Sequence, residues 1–230
     1  MHFRRLTSAT AIVLSLVCSS PSAWSQGGEK INIRCMALNN EPMPEMKVHT
    51  TDGLVTLDFS PIQPSLAVRA SFANPLPLYG LDSAPGKKDG PPPVTVKLPS
   101  NAREILLLAW INGETTSYLA IKDDFSSSKR DDWLLVNTTA APIAIQVGHE
   151  TQTKRVGPGA YEPFKVLAPA NEGAAVTAAV LREKKWHPFY ETYWPVYADK
   201  RNIIFFFADG KKIRVKPVWD QLSPPAPADR

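Results

Sequence analysis

Cys35, Met36, Met43, Met46 and His49 fall within one 15-residue window. Thiolate and thioether sulfurs are soft donors that select Cu(I), and imidazole also serves copper. The spacing Met43-x-x-Met46-x-x-His49 lets one loop fold around one ion, with Cys35 near enough to join. The chemistry this implies is Cu(I) binding or handling. The same residues also have a packing role. Neighbours in a strand point to opposite faces, so Cys35 fills a core while Met36 turns the other way. Met43 and Met46, beside Pro42 and Pro44, then act as gap fillers. Packing is the expected role, and copper binding through Cys35, Met43, Met46 and His49 is the alternative.

A second concentration is aromatic. Trp186, Phe189, Tyr190, Tyr193, Trp194, Tyr197 and Phe205–Phe207 place nine of the 21 aromatic residues in 22 positions. Exposed Trp and Tyr platforms bind sugar faces or protein partners, and the same residues are favoured in strands and cores. The cluster is expected to be largely buried. Trp186, Phe189, Tyr190, Tyr193 and Trp194 are its candidate contact residues for a protein or glycan.

Catalytic signals are weak by comparison. Asp123, Asp124, Asp131 and Asp132 flank the polar stretch Ser126–Lys129, but their doubled spacing does not match a calcium loop. Ser126-x-x-Lys129 matches the serine acyltransferase pattern only formally, because Lys88-Asp89-Gly90 stands where Lys-Thr-Gly is needed. His149-Glu150 has no second histidine four residues on. Asn137-Thr-Thr is a formal glycosylation sequon. No phosphate loop, dinucleotide fingerprint or Gly-x-Ser-x-Gly occurs. A catalytic site gathers several titratable groups, and three histidines beyond residue 25 give little to gather. A non-catalytic role is therefore expected, with a hydrolase assembled from distant residues as a further alternative.

The N-terminus predicts the compartment. Arg4 and Arg5 precede an apolar stretch, Ala9–Val17, and then small residues up to Ser25, which is the order of a cleavable secretory signal over 1–25. The apolar stretch is too short to span a bilayer, and no second one reaches that length. Val17 before Cys18 departs from the small residue that lipid attachment wants. Cleavage removes two arginines and no acid, lowering the net charge from +4 to +2. With no basic run remaining, nucleic acid is not an expected partner. Cys35 is then the sole cysteine, so no internal disulfide forms. The expected location is the periplasm or beyond.

The elements that must position these residues read as strands. Proline is abundant, 22 of 230 residues, and sits between the apolar runs. Ile31–Leu38, Leu54–Phe59, Leu66–Phe72, Val94–Leu98 and Tyr161–Val166 are short and many alternate. Glu104–Trp110 is a continuous apolar run, as expected of a strand buried on both faces. Asn112-Gly113 predicts a hairpin into Tyr118–Ile121. Trp133–Val136 and Ile143–Val147 read as a hairpin around Asn137–Pro142, and Asn202–Phe207 and Ile213–Val218 as another around Ala208-Asp209-Gly210. Ala174–Trp186 fits either an amphipathic helix, with Val176, Ala179 and Val180 on one face, or an alternating strand; a strand is expected, because its neighbours are strands and Pro188 closes it.

Turn signals about every ten residues indicate an all-β fold of antiparallel sandwiches. The expected organisation is a signal peptide at 1–25, one sandwich module over 26–113, a second over 114–221, and a disordered tail at 222–230. Ile121-Lys-Asp-Asp-Phe125, Leu134-Leu-Val-Asn137-Thr-Thr, Val156-Gly-Pro-Gly159, Trp186-His-Pro-Phe189 and Arg201-Asn-Ile-Ile-Phe205 carry a resemblance. The chain resembles a group of short exported bacterial proteins of unassigned function, similar to immunoglobulin-like sandwiches. The resemblance implies a fold and an export route and brings no catalytic residues. The expected function is that of an exported binding or scaffolding protein.

Overall fold

The computed structural model describes residues 28–86, 90–123, 132–148, 153–166, 172–197 and 200–221. The expected signal peptide 1–25, the expected disordered tail 222–230, Cys18, Lys88-Asp89, Asp124, Ser126–Lys129, Asp131 and His149-Glu150 lie outside the described residues. Every regular element among the described residues is a strand. No helix long and apolar enough to cross a membrane occurs among them.

The first half contributes β1 (Lys30–Ala37), β2 (Lys47–Thr50), β3 (Gly53–Thr56), β4 (Val68–Ser71), β5 (Leu76–Leu78), β6 (Val94–Val96), β7 (Glu104–Asn112) and β8 (Thr115–Lys122). A central sheet runs β4-β1-β7-β8. The hairpins β2-β3 and β5-β6 form the facing layer. Lys47 and Tyr79 join them by exchanging two main-chain hydrogen bonds of 2.8 Å. That layer therefore reads β3-β2-β5-β6.

The second half contributes β9 (Asp132–Asn137), β10 (Ile143–Val147), β11 (Lys154–Val156), β12 (Ala160–Lys165), β13 (Gly173–Arg182), β14 (Lys185–Pro195), β15 (Lys200–Asp209) and β16 (Lys212–Gln221). Its sheets run β12-β9-β15-β16 and β11-β10-β13-β14. Each strand stands eight places after its counterpart in the first half, so the connectivity repeats although no sequence repeat is visible.

The layers stack through three cores, and side-chain alternation assigns residues to them. Ile31, Ile33, Cys35, Ile105 and Leu107 face the first outer layer. Met36, Leu38, Leu106 and Leu108 face the opposite way and meet Leu134, Val136, Ile203, Phe205 and Phe207. Trp133, Leu135, Ile204 and Phe206 then face the second outer layer. β7 and β15 are thus covered on both sides, which is why Ile105–Ala109 and Ile203–Phe206 are continuous apolar runs with essentially no exposure. Each such Leu or Ile contributes roughly 1.5–3 kcal/mol by burial.

Three expectations are corrected. The central sheets are not purely antiparallel, because β1 pairs parallel with β7 and β9 with β15. A parallel neighbour requires a long crossover, and the facing layer is built from that crossover chain. The boundary expected at 113/114 falls on the turn of the β7-β8 hairpin, whose two arms share one sheet. The change of sheet comes after Lys122 and before Asp132. Asn137–Pro142 is not a hairpin turn, since β9 and β10 belong to different sheets. There the chain changes layer.

Polar contacts fasten the seam between the central sheets. Arg34 bonds Asp123 and Asp220. The Lys122 backbone N–H donates to the Tyr161 hydroxyl at 3.4 Å. Further along the seam, Lys216 Nζ donates to the carbonyls of Ala37 and Leu38, each at 3.2 Å.

Candidate functional site

The outer face of β11-β10-β13-β14 carries a groove of about 370 Å³. Alternation creates it. Ile143, Ile145 and Val147 of β10, and Val176, Ala178 and Val180 of β13, point into the core. The residues between them point outward and are small, so Ala144, Thr177 and Ala179 form a low floor. Trp186 and Pro188 of β14 rise on one side, and Arg155 of β11 and Thr153 on the other. The Arg155 guanidinium lies 5.6 Å from the Trp186 ring centroid. This cation–π contact joins the two sides of the groove. Gln146 adds an amide to the floor.

β14 is the edge of its sheet and runs 11 residues. Pro188 does not close it, because an edge strand tolerates proline where no ladder donor is needed. Its register jumps at Ala178/Ala179, where Tyr190 and then Pro188 are the partners and Phe189 opposes no residue. The bulge breaks the alternation. Phe189 and Tyr190 both pack on the core as a result.

The five candidate aromatics are thereby divided. Trp194 is buried between Trp133 and Tyr190, at centroid distances of 6.0 and 5.7 Å. Phe189 meets Phe206 edge-on at 6.4 Å. Trp186 is half-buried at the groove wall. Tyr193 is 66% exposed. Its ring lies over Gly173, where any Cβ would collide with it. The structure therefore leaves Trp186 and Tyr193 available to solvent and commits Trp194 to packing. Arg155, Gln146 and Thr177 escape sequence reasoning. Their one signal is period-2 alternation within β10, β11 and β13, which marks a face without saying what covers it.

The soft-donor cluster is also divided. Cys35 and Met46 share the first core and are buried. Burial, with a smaller push from Asp58, raises the Cys35 thiol to about 12, while a hydrogen bond with Ser65 opposes the shift. The protonated form, a poor copper ligand, is thus favoured. Val48 points into the same core as Met46. His49 lies on the opposite face of β2, half-buried, with Nδ1 3.4 Å from Ser71 Oγ. Met43 is half-buried in the approach to β2. Among the described residues, no three His, Cys, Asp or Glu side chains are grouped to hold a metal.

Asn137 is fully buried, and its Nδ2 donates to the carbonyls of Ala141 (2.9 Å) and Val156 (3.0 Å). The amide that the sequon would glycosylate is thus engaged in the fold. The chain matches no protein-family model and no curated protein.

Proposed function

We propose that this is an exported, non-catalytic binding or scaffolding protein. Its contact face is the outer face of β11-β10-β13-β14, extended along the edge strand β14. Each half is read as an immunoglobulin-like sandwich module, and the pair as a rigid support for that face. The reading is supported by the two-layer construction of each half and by the repeated connectivity. The central parallel pairs keep the likeness at the level of the sandwich. Export to the periplasm or beyond rests on the order of charge, apolar run and small residues within 1–25.

The observation that carries the reading is the groove beside Trp186, with Tyr193 exposed on the same strand. Trp and Tyr offer large, rigid contact area at low cost in side-chain entropy, and they bear polar tips. Arg155, Gln146 and Thr177 supply polar groups beside that area. A polypeptide or a glycan presents the matching mixture of flat apolar and hydrogen-bonding surface.

A photo-reactive residue placed at position 193, and in a second protein at exposed Ile62, tests the reading in cells of the native source. Discrete adducts from position 193 alone, abolished by Trp186→Ala with Arg155→Ala, would support the face as the contact site. Equal labelling from both positions, or adducts indifferent to the substitutions, would remove it.

A further inference from the structure

A second cavity, of about 660 Å³, opens at one end of the seam between the central sheets. It lies among the chain just after β1, the β7-β8 turn and the β15-β16 turn. This volume suits a small-molecule ligand. Ile111 and Phe207 supply apolar wall, and Arg214 and Lys216 supply cationic wall.

The cations are placed by sequence. Lys212, Arg214 and Lys216 alternate with Ile213, Val215 and Pro217. Ile213 and Val215 pack against the outer core, whereas Val218 packs into the seam. The three cations therefore stand on the seam face of β16, about 7 Å from one to the next.

Lys216 is half-buried, and burial lowers its pKa. Its ammonium spends two donors on the Ala37 and Leu38 carbonyls. An ammonium has three, so one remains. No carboxylate lies within ion-pair distance of it among the described residues. A cation withdrawn from water without a counter-ion is costly. Arg214 meets Asp209 through Nε alone, at 2.9 Å, leaving its terminal nitrogens for another acceptor.

We propose that this cleft binds a ligand with one carboxylate on an apolar body, the carboxylate held by Lys216 and Arg214 and the body lying against Ile111 and Phe207. Glu41 and Asp209 also line the cleft. They repel a dianion more than a monoanion, which favours a carboxylate over a phosphate. The site is separate from the groove beside Trp186 and does not depend on it.

The test is an amide-resolved NMR titration of the purified chain at pH 7. The probes are N-acetylphenylalanine, its neutral amide and inorganic phosphate. The acid is expected to shift resonances at 38–41, 111–113 and 207–216 saturably, while the amide and phosphate leave them in place. Loss of one charge-assisted contact in Lys216→Gln should weaken the acid about tenfold or more. Arg214→Gln, at an exposed position, should weaken it several-fold with an unchanged unfolding midpoint. It decides the matter alone if Lys216→Gln fails to fold. No saturable response to the acid, equal shifts from the neutral amide, tighter binding of phosphate, or unchanged affinity in the folded variants would overturn the proposal.

Discussion

Arg34 on β1 and Asp220 on β16, 186 positions apart in the chain, meet as a two-bonded pair across the seam, with Nη1–Oδ2 at 3.0 Å and Nη2–Oδ1 at 2.6 Å. Nη1 also bonds Asp123 Oδ2 at 3.2 Å, and Nε donates to the Ser65 carbonyl at 3.3 Å. Burial opposes the charge on Arg34. The hydrogen bonds and charges of Asp220 and then Asp123 outweigh it, and the guanidinium pKa is raised. Both carboxylates are nearly inaccessible, at 6% and 7% side-chain exposure.

Removing the shared cation should therefore harm more than removing the whole cluster. Arg34→Met is expected to cost about 3 kcal/mol or more, because it takes the shared cation away from two buried acids. The triple variant Arg34→Met/Asp123→Asn/Asp220→Asn should recover much of that loss. Urea unfolding at pH 7 measures both. A loss below about 1 kcal/mol for Arg34→Met would mean that the Arg34 ion pairs add little to the seam.

The β13-β14 turn gives a prediction of opposite sign. Glu183 and Lys184 adopt φ of +50° and +62°, which suits glycine or asparagine and not these residues. Each position costs a side-chain-bearing residue roughly 1–2 kcal/mol. Replacing the pair with Asn-Gly should stabilise the protein by about 1 kcal/mol or more and raise the thermal midpoint by a few degrees. An unchanged or lowered midpoint would show that the two side chains make compensating contacts.

That turn also marks where sequence reading loses the fold. Asn112-Gly113 and Ala208-Asp209-Gly210 are visible because their residues favour positive φ, and both are hairpins in the structure. Glu183-Lys184 carries no such mark, so Ala174–Trp186 reads as one strand and Pro188 as its end. The run Ile105–Ala109 announces burial on both faces. It cannot announce that one covering layer is a second sheet from beyond residue 131, since apolarity does not encode partner identity. Period 2 likewise separates Cys35 from Met36 correctly, and they fall in different cores. The candidate contact face is legible only as an aromatic excess. The division between buried Trp194 and exposed Tyr193 depends on edge position and on the bulge at Phe189, neither of which the residue types declare.

Cys35 should be inert in the folded protein. Its thiol is raised from 9.0 to about 12, chiefly by burial. In the unfolded chain the thiol loses its proton near its ordinary value, while the folded chain retains it. Stability from this group is thus complete below pH 9.0 and falls as pH rises toward about 12. The slope is at most about 1.4 kcal/mol per pH unit. Cys35→Ala should remove it, so the stability difference between the two proteins should change across that window and stay constant between pH 6 and 8. A disulfide reagent at pH 8 should modify native Cys35 only at the rate of unfolding. Rapid native labelling would place the thiol at a surface and revive its candidacy as a copper ligand.

Asn137 holds the point where the chain leaves β9 for the outer layer. Its Nδ2 bonds two carbonyls, and its Oδ1 accepts the Thr139 backbone N–H at 3.0 Å and the Thr139 hydroxyl at 2.8 Å. The Thr139 hydroxyl is also within 3.0 Å of the Ala141 carbonyl and accepts the Ala141 N–H at 3.3 Å. One buried amide thus satisfies groups on β11 and on the 138–141 crossing, and its bonds to Val156 and Thr139 are fully buried. Asn137→Ala leaves several of these groups without their partner, at roughly 1–3 kcal/mol for each one left unsatisfied. A total loss of about 3 kcal/mol is expected. Asn137→Asp should be nearly as harmful, because it keeps the acceptor for Thr139, loses both donors and buries a charge. Thr139→Val should cost less, about 1 kcal/mol, since the amide retains its two carbonyl bonds. Chemical denaturation of the three variants gives the order. If Thr139→Val equals or exceeds Asn137→Ala, the hydroxyl and not the amide anchors the crossing.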